Sequence, residues 1–135
     1  MRGLLADANV EKHFHLVVQQ FHAGSRRELW SALNVEALTF ADLGLPISTV
    51  DRVLWQRCQA EGLVLFTANR NQEGADSLEE TIRTLNQFDS LPVLTIADAQ
   101  RILDDAAYRE RVADRCLEYL YDVEQLRGTG RLFLP

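Results

Sequence analysis

The chain reads as an α/β protein in three layers, a parallel sheet of about four strands with helices on both faces. Two observations predict this: short apolar runs that stop abruptly in polar residues, and helical apolar periods that alternate with those runs along the chain. Leu63-Val64-Leu65-Phe66 is the clearest run, and it opens into Thr67-Ala68-Asn69-Arg70-Asn71. Gly3-Leu4-Leu5-Ala6 repeats the design, followed at once by Asp7-Ala8-Asn9. A continuous apolar run bounded in this way is the mark of a strand buried on both faces of a parallel sheet. Ligand sites of such sheets lie outside the carboxyl ends of the strands, which is where these polar residues fall.

The remaining elements follow in order. Val10, Phe14, Val17, Val18 and Phe21 keep a helical period over residues 10–22. Ser25 with Glu28 has capping-box spacing before a short helix buried through Leu29, Trp30 and Leu33, and Asn34 stops it. Val35 to Phe40 is rich in strand formers and predicts the second strand. After the turn residues Gly44 and Pro46, Ser48 and Asp51 form a second capping box for a helix buried through Val50, Val53, Leu54 and Cys58, ending at Gly62. The third strand follows directly.

Beyond the polar loop from Ala68 to Asp76, Ser77 with Glu80 predicts another cap, and Leu78, Ile82, Leu85 and Phe88 carry that helix to Asp89-Ser90. Pro92 to Ile96 is the fourth strand. Asp98 caps a last helical region, buried through Ile102, Leu103, Tyr108, Val112, Cys116, Leu117, Leu120 and Val123, with a break near Asp104-Asp105. Gly128-Thr129-Gly130 ends it, and Arg131 to Pro135 is a tail apolar enough to dock on the body.

A chain of 135 residues that is 47% hydrophobic sustains one domain with a sizeable core, so residues 1–135 are read as a single unit. The net charge of -6 argues against coating nucleic acid through the overall field, although a local basic groove is compatible with it. Cys58 and Cys116 stand far apart in helical patterns and read as buried thiols rather than a zinc site or a disulfide. No leader pattern opens the sequence, and no apolar run nears the roughly 20 residues needed to span a bilayer. The expectation is a reduced, cytoplasmic protein that makes no use of a membrane.

At the carboxyl edge of such a sheet, Asp7, Asp51, Asn69 and Asn71 converge. Two carboxylates and two amides make an oxygen-rich site of the kind that suits Mg²⁺ or Mn²⁺, and a hydrolase uses such a metal to polarise a phosphodiester and activate water. Asp51 can equally complete the cap begun by Ser48, Asp7 can cap the helix after it, and Asn69 and Asn71 are also good turn residues. His13, His15 and His22 have no metal-binding spacing. Arg52, Arg57 and Arg70 either hold phosphates or are solvated surface arginines.

Four stretches in this order, Leu-Leu-Ala-Asp-Ala-Asn-Val, Asp-Leu-Gly-Leu-Pro, Ser-Thr-Val-Asp-Arg-Val-Leu and Gly-Leu-Val-Leu-Phe-Thr-Ala-Asn-Arg-Asn, resemble the small bacterial PIN-like proteins over roughly residues 3–100. Residues 103–135, the last helix and tail, lie outside the resemblance. It implies a PIN-like fold, an acidic pocket for Mg²⁺ or Mn²⁺, cleavage of single-stranded RNA, pairing with a cognate antitoxin protein, and a homodimer. Asp7 and Asp51 match its acidic ligands. Ala8 stands where the family often has Glu, while Asn69 and Asn71 stand where it has Asp. Carried over, the candidate catalytic set is Asp7, Asp51, Asn69 and Asn71, with Asp7 and Asp51 as the metal ligands and Asn9, Thr67 and Arg70 as substrate contacts.

Three function classes follow: a metal-dependent ribonuclease with a thinned acidic site, an inactive PIN-like module that binds RNA or a protein partner, and a phosphatase with Asp7 as nucleophile. The last lacks the second Asp two positions on, since Asn9 stands there.

Overall fold

The computed structural model describes residues 1–135. Five strands form one parallel sheet in the order β2-β1-β3-β4-β5: β1 (Gly3–Ala6), β2 (Glu36–Leu38), β3 (Leu63–Thr67), β4 (Val93–Thr95) and β5 (Arg131–Phe133). The helices are α1 (Glu11–Phe21), α2 (Arg26–Leu33), α3 (Asp51–Glu61), α4 (Leu78–Leu85), α5 (Ala99–Asp104), α6 (Ala106–Tyr121) and the single turn α7 (Val123–Leu126).

Strand alternation divides the core in two. Leu4 and Ala6 of β1, Val64 and Phe66 of β3, and Leu94 with Ile96 at β4 pack against α1, α2, α5 and α6. Leu5, Leu63, Leu65 and Val93 face the other way, onto Leu54, Trp55 and Cys58 of α3 and Leu78 and Ile82 of α4. This period of two in strands buried on both faces makes the architecture three-layered. No helix is long and apolar enough to cross a membrane.

The chain runs from β1 out to β2, then returns to lay β3 on the opposite side of β1. The crevice between the carboxyl ends of β1 and β3 is therefore the topological switch point, the place where open α/β sheets bind ligands.

The sheet has five strands rather than about four. The segment expected to dock as a tail pairs with β4 in the register Val93↔Arg131, Leu94↔Leu132, Thr95↔Phe133. Its ends are tied by Val93 N–H to the Gly130 carbonyl at 2.9 Å and Leu134 N–H to the Thr95 carbonyl at 2.8 Å. Strand β2 is shorter than expected, because it is an edge strand with only one partner.

Asn34 closes α2 at φ 52° and Gly62 closes α3 at φ 70°, both left-handed, as their positions predict. Ser77 and Asp98 cap α4 and α5, accepting from the Glu80 and Arg101 amides at 3.2 Å in each case. Asp105 caps α6 at the expected break. The boxes at Ser25 and Ser48 do not form. Ser25 has helical backbone angles and makes no cap bond. Helix α3 begins only at Asp51, after a turn in which Thr49 Oγ1 donates to the Pro46 carbonyl at 2.6 Å. Leu29, Val50, Val53 and Phe88 are exposed rather than buried; Phe88, 87% exposed, lies beyond the end of α4 at Leu85.

Gly3 marks the closest approach of β1 to β2. A methyl group there would lie 2.1 Å from the Glu36 carbonyl oxygen, inside the backbone of the neighbouring strand. Gly3→Ala therefore forces β2 outward and should cost about 1–3 kcal/mol, read as a lowered midpoint in denaturant. An unchanged midpoint would contradict this packing.

Candidate functional site

The site begins with backbone pairing that outlasts the strands. Asp7 N–H donates to the Phe66 carbonyl at 2.9 Å, so the β1–β3 ladder delivers Asp7 beside Thr67. Thr67, fully buried at the end of β3, donates its hydroxyl to Asp7 Oδ2 at 2.7 Å and accepts from Asn69 N–H at 2.9 Å. The hydroxyl thus spends its one proton on Asp7 and one of its two lone pairs on the Asn69 amide.

Asn69 extends the network across the crevice. Its Nδ2 donates to Asp51 Oδ2 at 2.9 Å, and the same oxygen accepts from Leu78 N–H at 3.1 Å. Asp51 thus serves the first turn of α4 rather than a cap on its own helix. The sequence alternatives for the two amides resolve into both roles for Asn69: its Oδ1 accepts from Asn71 N–H at 2.8 Å, an Asx turn, while its nitrogen faces Asp51. Asn71 Oδ1 makes the next Asx turn with Glu73 N–H at 3.1 Å.

Asp7, Asn9, Thr67, Ala68, Asn69 and Asn71 line a pocket of about 280 Å³. Asp51 lines an adjoining depression of about 470 Å³ with Glu73, Asp76 and Ser77 among its other walls, and Asn71 borders both. Of the predicted residues, Asp7, Asn9, Thr67, Asn69 and Asn71 share one pocket, and Asp51 reaches it through Asn69. Arg70 is turned away. Its Nη2 donates to the Ile96 and Ala97 carbonyls at 3.3 and 3.2 Å, and its guanidinium sits 5.3 Å from the Phe133 ring centre. Of the carboxylates that could replace the missing acids, Glu79 pairs with Arg131, Glu80 pairs with Arg83, and Asp76 stands in the adjoining depression.

Burial raises the Asp7 pKa above the ordinary carboxylate value; the Thr67 hydrogen bond opposes this and the charge of Asp51 adds to it. No cation is among the groups acting on Asp7. The Cys58 thiol is pushed up to about 12, chiefly by burial and then by the Asp7 charge, which disfavours its thiolate. No group of three or more His, Cys, Asp or Glu side chains has an arrangement that could hold a metal ion. The donor set is two carboxylates: Asp7 takes the Thr67 hydroxyl on Oδ2 and also feels the Ala8 and Asn9 backbone amides, and Asp51 takes the Asn69 amide and Leu78 N–H on Oδ2. That set fits a hard cation which takes as few as roughly one or two protein carboxylates and fills its remaining positions with water and substrate oxygens.

Arg131, which carries no motif in the sequence, stands beside the site. It lies at the start of β5 and donates through Nη1 to the Asn69 carbonyl at 2.9 Å and to Thr95 Oγ1 at 2.6 Å. The available signal was a lone charge at the head of an apolar run after Gly-Thr-Gly, which needs a buried partner if the run is a strand.

Fold and site together define a doubly wound parallel α/β protein with a polar pocket at its switch point that holds Asp7 and adjoins Asp51 through Asn69. Comparisons of the chain with protein-family models, with curated proteins and with solved structures found no match.

Because its folded-state pKa is raised, Asp7 favours folding below the ordinary carboxylate range, and that contribution is lost as pH rises through the folded pKa. Wherever Asp7 is ionised, its burial is a penalty. Asp7→Asn, which keeps an acceptor for Thr67, should therefore melt higher than the parent at about pH 7, and the gap should close toward about pH 3.5. A gap that widens on acidification would reverse the assignment.

Proposed function

We propose that this chain is a PIN-like Mg²⁺- or Mn²⁺-dependent ribonuclease with a thinned acidic site, in which Asp7 and Asp51 hold the metal. The observation that carries this reading is the uncompensated pair of carboxylates at the switch point. Asp7 is buried with no cation acting on it, and Asp51 is met only by an amide and a backbone N–H. A divalent ion relieves both the burial penalty and the mutual repulsion.

The chain's own residues provide orientation. Thr67 fixes the Asp7 carboxylate through Oδ2, and Asn69 with Leu78 N–H fixes that of Asp51. Asn9 and Asn71 border the same pocket with neutral polar groups suited to sugar and phosphate oxygens. A bound metal would supply Lewis-acid polarisation of the phosphodiester and a water of lowered pKa.

One observation favours the second reading, an inactive module that keeps the pocket for binding RNA or a protein partner. Asn69 closes on Asp51 at 2.9 Å, so an amide satisfies the carboxylate where the family pattern has another acid.

Calorimetric titration with Mn²⁺, paired with cleavage of a labelled single-stranded RNA, separates the two. The parent chain should bind Mn²⁺ weakly and lose that binding in Asp7→Ala and in Asp51→Ala. The double change Asn69→Asp with Asn71→Asp adds negative charge to the pocket wall and should tighten Mn²⁺ by about tenfold or more. Cleavage by the parent that requires Asp7 and Asp51 supports the nuclease; metal binding without cleavage in either form supports the inactive module.

A further inference from the structure

Asn69 is held at every hydrogen-bonding group it has. Its N–H goes to Thr67, its Nδ2 to Asp51, its Oδ1 accepts from Asn71, and its carbonyl accepts from Arg131. Three of these partners are neighbours in or beside the pocket. The fourth comes from the far end of the chain, and its side chain is only 8% exposed.

Arg131 addresses three elements at once. Nη1 reaches the loop after β3 at the Asn69 carbonyl and β4 at Thr95 Oγ1, while Nε donates to Glu79 Oε2 of α4 at 3.0 Å and Nη2 lies 2.9 Å from that oxygen. An ion pair with one buried and one exposed partner adds little net stability, because solvent screens the carboxylate and desolvation of the guanidinium offsets the Coulomb gain. The rigid, planar fork of donors does supply fixed geometry, which a flexible ammonium cannot.

We propose that Arg131 is a positioning residue for the pocket. By clamping the Asn69 carbonyl beside Thr95, it sets the loop after β3 so that the Asn69 amide meets the Asp51 carboxylate. Strand β5 is thereby coupled to the site: its register on β4 fixes Arg131, Arg131 fixes Asn69, and Asn69 orients Asp51. The functional meaning rests on the reading of this pocket as the working site, but the geometry is tested without metal.

The experiment compares the parent, Arg131→Met and Arg131→Lys by NMR in metal-free buffer. It follows the Asn69 side-chain amide resonance and the exchange of the Asn71 N–H, which bonds Asn69 Oδ1. Arg131→Met should move the Asn69 resonance toward its solvent-exposed position and speed Asn71 exchange about tenfold, the scale of one charge-assisted hydrogen bond. Protection of Asp7 N–H in the β1–β3 ladder should remain. Arg131→Lys should restore part of the effect, since it keeps the charge and loses the fork. A merely structural arginine would lower the melting temperature and leave the Asn69 resonance and relative Asn71 protection unchanged, which would overturn the proposal. If Arg131→Met does not fold, Thr95→Val removes the other anchor of Nη1 and must shift the same two signals; no shift overturns it equally. A loosened loop in a chain that never takes up Mn²⁺ would support the positioning role and defeat the nuclease reading alone.

Discussion

A carboxylate at the end of a buried strand needs partners, and in this molecule the hydrogen bond from Thr67 to Asp7 offsets part of its burial cost. The contact joins the two strands that flank the switch point and is made of residues that are 0% and 8% exposed. From it the rest of the site propagates: Thr67 takes the Asn69 amide, Asn69 takes Asp51, and Asp51 takes the first amide of α4. One network therefore spans β1, β3, α3 and α4. In a low-dielectric interior such a chain is strong when complete and costly when broken, so each member depends on the others.

The two cores supply the frame for that network. The larger packs α1, α5 and α6 on one face, including the edge-to-face pair of Phe14 with Phe66 at 5.2 Å, and the smaller packs α3 and α4 on the other. Strand β3 belongs to both and is buried along its whole length. Its carboxyl end is consequently a fixed point, and the loop beyond it can carry polar residues at defined positions. The last strand completes the frame from outside: it extends the sheet past β4 and sends Arg131 back beneath the loop.

Much of this was legible in the chain, for identifiable reasons. Strands β1 and β3 stand out because burial on both faces needs continuous apolar runs, and their ends stand out because Asp7, Thr67 and Asn69 break those runs at once. Ser77 and Asp98 cap helices because each sits in extended backbone three residues before a free amide. Ser25 and Ser48 have the same spacing and fail. Ser25 is already helical, and the turn after Pro46 delays α3 until Asp51, so spacing without backbone geometry is insufficient. Strand β5 was hidden because three residues are too short to show a period, and with it went Arg131, whose partners lie 36 to 62 residues away. Val50 precedes α3, and Val53 lies off the face that Leu54, Trp55 and Cys58 bury.

The proposed nuclease site requires Asp7 and Asp51 to share a divalent cation. Anomalous diffraction from crystals of the unmodified protein soaked in millimolar Mn²⁺ tests it most directly, because the metal is located by its own scattering. A shared cation gives a single strong peak between the Asp7 and Asp51 carboxylates, completed by ordered water, which is lost in crystals of Asp51→Ala. A pocket without a peak at that concentration, with the Asn69 to Asp51 hydrogen bond still in place, would contradict it.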